Sequence, residues 1–132
     1  MVYIEKLARV SWECVHFVPK SEVIPSAKEF EGRGIKAFEI RGEKVRSVDD
    51  LFSCIAAAME FPDYFGNNWN ALDECLRDLE WHDAKGYVLV VHDAEELWRR
   101  ETRVMGTFLQ SWLFSAEEWG RHDTPFHLIF VW

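Results

Sequence analysis

Apolar and polar positions change period several times along the chain, and each change marks an element. Ile35-Lys36-Ala37-Phe38-Glu39-Ile40 alternates with the period of a strand, and Arg41-Gly42-Glu43 turns the chain after it. Ser47-Val48-Asp49-Asp50 has the form of a helix-capping box with Asp in place of Glu, and Leu51, Cys54, Ile55, Ala58 and Met59 continue at helical spacing. Tyr87-Val88-Leu89-Val90-Val91 is apolar without interruption, as expected of a strand covered on both faces in a parallel sheet. Asp93 opens a short helical stretch through Glu95, Glu96, Leu97 and Trp98. From Thr102 to Trp119, Met105, Phe108, Leu109, Trp112, Leu113 and Ala116 predict the longest helix, ended by Gly120-Arg121-His122-Asp123. Residues 125–132, Pro125 to Trp132, read as a final strand.

The stretch from Pro62 to Glu80 has the clearest local signals. Proline, then glycine and two asparagines, form a tight turn, because Gly and Asn tolerate positive φ and an Asn side chain can accept from free amides at a helix start. A helix is predicted from about Trp69, capped by Asn68. At 100° per residue, Trp69, Ala71, Leu72, Cys75, Leu76 and Leu79 share one side, while Asn70, Asp73, Glu74, Arg77 and Asp78 share the other. The helix should bury the first side and show water the second.

Ahead of these elements the pattern is weaker. Cys14-Val15-His16-Phe17-Val18, stopped by Pro19, suits a strand; Ser21 is a candidate cap for a short helix before Gly32-Arg33-Gly34, with Pro25 in its first turn. Strands alternating with helices predict an α/β fold, a small parallel sheet of three or four strands packed against helices with right-handed crossovers.

The 132 residues suit one domain, and 48% hydrophobic content supports one core. A net charge of -8 opposes direct nucleic-acid binding, which depends on clustered Lys and Arg, and favours a basic partner. Cys14, Cys54 and Cys75 form no C-x-x-C pair, so buried reduced thiols and a reducing compartment are expected. No signal-peptide core opens the chain and no apolar run approaches the roughly 20 residues of a membrane helix. A cytoplasmic location is the expectation. His16, His82, His92, His122 and His127 lack ligand spacing, so neither metal nor cofactor is expected. His92-Asp93 at a strand end has the chemistry for acid-base work but no partner, and there is no nucleophile elbow or phosphate loop.

Acids crowd the featured stretch: Glu60, Asp63, Asp73, Glu74, Asp78, Glu80 and Asp83 face only Arg77 as counter-charge, and Tyr64, Phe65 and Trp81 flank them. A solvated helix face accounts for the charges alone; charges beside aromatics on a rigid element also make a protein-binding hot spot.

The run Phe61-Pro62-Asp63-Tyr64-Phe65-Gly66-Asn67-Asn68-Trp69-Asn70-Ala71-Leu72-Asp73-Glu74-Cys75-Leu76 closely resembles the loop and second helix of the barstar family, intracellular protein inhibitors of ribonucleases. Ile35-Lys36-Ala37-Phe38 and residues 45–51, Val45 to Leu51, match that family's opening strand and first helix. The resemblance implies a barstar-like domain over residues 35–132, preceded by an N-terminal β-α extension of the same domain over residues 1–34. It further implies a non-enzymatic, one-to-one blocker of a basic ribonuclease or ribonuclease-like toxin, monomeric by itself, whose carboxylates occupy the sites that hold RNA phosphates. By position, the family's loop aromatic falls on Tyr64 and its helix acids on Asn70 and Glu74; a further contact falls on Asp73, where the family has tryptophan. The later-helix acid falls on Phe114, with Glu117 or Glu118 one turn on. The expected partner-binding set is Tyr64, Asn68, Asn70, Asp73, Glu74, Arg77, Asp78 and Trp81, with Trp81 divided between contact and core packing. Two other readings share these residues: an acidic interaction module with a non-nuclease partner, and a hydrolase using Asp73, Glu74 or His92.

Overall fold

A computed structural model describes residues 2–132. Four strands, β1 (Val15–Val18), β2 (Ile35–Arg41), β3 (Gly86–His92) and β4 (Phe126–Val131), form one parallel sheet in the order β1-β4-β3-β2. Around it lie α1 (Ile4–Leu7), α2 (Ala27–Gly32), α3 (Val48–Ala58), α4 (Trp69–Asp78), α5 (Ala94–Arg100) and α6 (Thr102–Arg121), with a 3-10 turn at Gly42–Lys44. The architecture is α/β, as the alternating periods predict.

Strand order explains how the two faces are covered. From β2 through β3 to β4 the chain steps one way across the sheet, so right-handed crossovers put α3 to α6 on one face. From β1 to β2 it travels back across the whole sheet, and the same handedness sends α2 to the other face. The strands alternate accordingly. Phe38, Ile40, Leu89, Val91, Leu128 and Phe130 enter a large core with Leu51, Ile55, Leu72, Leu76, Phe108 and Trp112. Val88, Val90, Ile129 and Val131 face a smaller one closed by Leu7 and Phe30.

The local differences from the sequence expectation each have a cause. Ser26, not Ser21, caps α2: its Oγ accepts from Glu29 N at 3.2 Å, and Pro25 precedes the cap instead of lying in the first turn. Glu29 three residues after Ser26 supplies the capping-box chemistry that Ser21 lacks. At α3, Ser47 Oγ accepts from Asp50 N (3.2 Å), but the shorter Asp carboxylate accepts from Arg46 N (2.9 Å). Asp93 sits before α5 with φ 53 and no capping bond; its carboxylate instead pairs with Lys20 at 3.3 Å and Arg41 at 3.8 Å. Helix α6 continues through Gly120 to Arg121, since a glycine in a helix costs only about 1 kcal/mol and Trp119 is tied to α4 by its indole. Leu113, placed by spacing on the buried side of α6, is 45% exposed. The four-residue α1 has no counterpart in the sequence pattern.

The first strand is fastened by histidines. His127 is fully buried; its Nε2 lies 2.8 Å from the Arg9 carbonyl, and its Nδ1 lies 2.9 Å from His16 Nε2. A carbonyl only accepts, so His127 carries its proton on Nε2 and takes the His16 N–H at Nδ1. Burial, the neighbouring His127 and Lys6 hold His16 down at about 4, against the opposite pull of Glu13. Burial is also the largest cause lowering His127.

Candidate functional site

Helix α4 is set rigidly from both ends. Asn68 Oδ1 accepts from Ala71 N at 2.8 Å while its Nδ2 donates to Gly66 O at 3.2 Å, so the cap also holds the turn. The positive φ of the turn falls on Asn67, at 52°. At the other end Leu79 ends the helix in a left-handed conformation, fully buried. Leu72, Cys75 and Leu76 are buried as the wheel predicts, and Trp119 of α6 donates its indole N–H to Leu76 O at 2.7 Å. Trp69 meets Phe52 edge-on at 5.0 Å.

The loop before α4 sorts its two aromatics. Phe65 turns inward against Phe61 (5.0 Å) and Phe52 (6.2 Å), which leaves its neighbour Tyr64 70% exposed. The Tyr64 phenol is held above its ordinary value by desolvation, then by the charges of Asp78, Glu80 and Glu74 with the Cys75 thiol. Tyr64 therefore shares the electrostatic surroundings of the C-terminal half of α4.

On the outer side, Asn70, Glu74 and Arg77 are exposed. Asp73 and Asp78 are only half-exposed, and Asp73 Oδ1 is shut off from water without a hydrogen-bond partner. The wheel put Asp73 squarely on the water side; the difference arises because α6 packs alongside α4. Arg77 does not neutralise these acids. Its Nε donates to the Asp73 backbone carbonyl at 3.1 Å, and its guanidinium lies 4.9 Å over the Phe114 ring. Several acids elsewhere are engaged: Glu95 with Arg99, Glu39 with His92, and both Glu117 and Glu118 with Arg121. Among the described residues no ion pair includes Asp73, Glu74 or Asp78.

One residue enters this surface without having been singled out as an apolar contact. Phe114 of α6, 47% exposed, stands beside Arg77. Trp81 lies at the edge of the large core: its indole donates to Met59 O at 3.0 Å and its ring meets Phe61 edge-on at 5.9 Å. The pairing of Glu117 and Glu118 with Arg121 commits both acids within α6.

The catalytic alternative finds no assembly of its residues. His92 Nε2 lies 3.1 Å from Glu39 Oε1 at the end of β3, beside a cavity of about 660 Å³ whose lining includes neither Asp73 nor Glu74. No group of three or more His, Cys, Asp or Glu among the described residues could hold a metal.

The surface is thus a fixed helix with unpaired carboxylates, edged by Tyr64 on one side and Phe114 on the other. A family model described as Barstar (barnase inhibitor) matches residues 35–131, from the first residue of β2 to the last of β4. Only α1, β1 and α2 lie before the match. Covering most of the chain and both elements that build the surface, it shows that the chain belongs to the barstar family of inhibitors.

Proposed function

We propose that this chain inhibits a basic ribonuclease or ribonuclease-like toxin, one to one, by laying the Tyr64 loop and the outer side of α4 into the enzyme's cationic cleft. One observation carries the reading: Glu74, Asp73 and Asp78 lack internal counter-ions while the helix bearing them is capped and packed in place. Lys and Arg that ordinarily hold RNA phosphates would meet carboxylates instead, through charge-assisted hydrogen bonds, and RNA would be shut out. No bond is made or broken, so the inhibitor needs neither cofactor nor catalytic group. Asn70 is neutral, which shifts the charge along the helix toward Glu74 and Asp78 and selects among basic partners.

The three free cysteines suit a reducing, cytoplasmic setting. No helix among the described residues is long and apolar enough to cross a membrane.

The test is inhibition of basic ribonucleases, barnase among them, by the wild type and a double variant. Tyr64→Ala with Glu74→Ala alters two exposed side chains, so the fold should persist while the inhibition constant rises by at least about a hundredfold, two hot-spot contacts being worth roughly 2 kcal/mol or more each. Inhibition unchanged by the pair would remove this surface from consideration.

A further inference from the structure

Among the described residues nine large apolar side chains are exposed, and they divide into two groups. Tyr64 and Phe114 border α4, and Leu113 lies on α6. Five of the other six lie before Ile35, outside the span matched by the inhibitor family, and include Trp12 (88%) and Phe17 (54%). The sixth, Trp132 (38%), packs edge-on against Phe17 at 5.7 Å. The segment that the family does not account for therefore brings its own apolar surface.

Phe17 and Trp132 lie at an open sheet edge. Strand β1 pairs with β4 alone. Leu128 N donates to Cys14 O at 2.8 Å and Trp132 N to Val18 O at 2.7 Å. In a parallel ladder alternate residues turn their main-chain groups the same way, so Cys14, His16 and Val18 face β4, while Val15 and Phe17 point N–H and C=O to the open side. Edge strands are ordinarily blunted by charge, proline or a bulge. Val15-His16-Phe17-Val18 has no charged residue and no proline.

We propose that two copies of this chain join through β1, antiparallel about a twofold axis at His16, merging two four-stranded sheets into one. The register follows from the free groups: Val15 of each copy must lie opposite Phe17 of the other for the outward N–H and C=O groups to meet. Self-pairing suits this edge because the twofold brings like against like, and an uncharged strand pays no repulsion for it. Both Phe17 rings then fall on the face that already holds Phe130 at 5.0 Å and Trp98 at 6.1 Å, extending that aromatic cluster across the axis. The exposed side chains of Phe17 and Trp132 come to roughly 200 Å² per copy, or about 400 Å² in the pair, below the about 1,200 Å² of a standard stable interface, so the main-chain ladder carries the contact and the dimer is a weak one. None of the paired residues belongs to the α4 surface, so association and inhibition are separable.

Sedimentation velocity from about 1 to 500 µM, with hydrogen exchange at both extremes, tests this. The sedimentation coefficient should climb toward the dimer value, and the Val15 and Phe17 amides should exchange at least about fivefold more slowly at the high concentration. Phe17→Lys, at an exposed position, should raise the half-dimer concentration at least about tenfold while the circular dichroism spectrum stays that of the wild type. A monomer at the highest concentration, a dimer whose Val15 and Phe17 amides exchange as in the monomer, or a Phe17→Lys protein that associates as before would each overturn the proposal. If Phe17→Lys does not fold, the wild-type exchange measurement decides alone.

Discussion

Taking the protein from pH 7 to pH 5 should cost it about 2 kcal/mol through His16 alone, a value that follows from its folded-state titration. In the free chain His16 titrates near 6.5, and in the folded protein at about 4. Between those values the unfolded state holds a proton that the folded state refuses, so stability is full above 6.5 and drains away as the pH falls toward 4. The full difference is roughly 3 kcal/mol at 1.36 kcal/mol per unit, of which about 2 is lost by pH 5. The groups facing His16 are His127 and Lys6, which oppose its charge, and Glu13, which favours it. His127 adds loss of the same sign, since it too is lowered. Urea unfolding of the wild type and of His16→Gln, at pH 7 and pH 5 and constant ionic strength, isolates the effect. Carboxylates contribute equally to both proteins, so the variant's pH dependence should be shallower by about 2 kcal/mol. Equal pH dependence in the two would refute the depressed titration that burial, with His127 and Lys6 beside it, gives His16.

Asn68→Ala should destabilise the protein by about 1 kcal/mol in urea unfolding, because Ala71 N loses its cap; Asn68→Asp should retain most of that stability. Gly42→Ala should cost about 1 to 3 kcal/mol, because the new Cβ would lie 2.6 Å from the Asp93 carbonyl oxygen and 2.8 Å from that of His92, both main chain; thermal unfolding reads it. Phe30→Ala should cost about 3 to 5 kcal/mol by opening the smaller core, and should speed amide exchange in β1 and α2 more than in α4.

Period and capping made much of the molecule legible. The unbroken apolar run of β3 announced burial on both faces, and residues 87–91 are buried throughout. Asn68 and the Trp69–Leu79 stripe were readable because the turn, the cap and the apolar spacing agree. Where signals competed, the reading slipped. Ser21 and Ser26 both offer a cap, and only the Glu three residues after Ser26 distinguishes them. Helix-wheel position could not show that α6 lies beside α4, and that contact is what shades Asp73 and sets Phe114 under Arg77. The Arg121 pairing with Glu117 and Glu118 was available from spacings of four and three residues. Trp81 could not be resolved from sequence, because its hydrogen-bond acceptor, Met59 O, lies 22 residues away.

The placement of β4 has a bearing on assembly. It is the fourth strand in sequence but lies between the first and third in space, so β1 has no neighbour until β4 is threaded into the gap. The crossover from β3 to β4, residues 93–125, is shorter than the one from β2 to β3, residues 42–85, so loop closure favours the β3–β4 pair first, and the first strand can join only after it. A nascent or clipped chain lacking residues 126–132 would leave both β1 and the open side of β3 without a ladder, so losing those seven residues should release the segment at the other end.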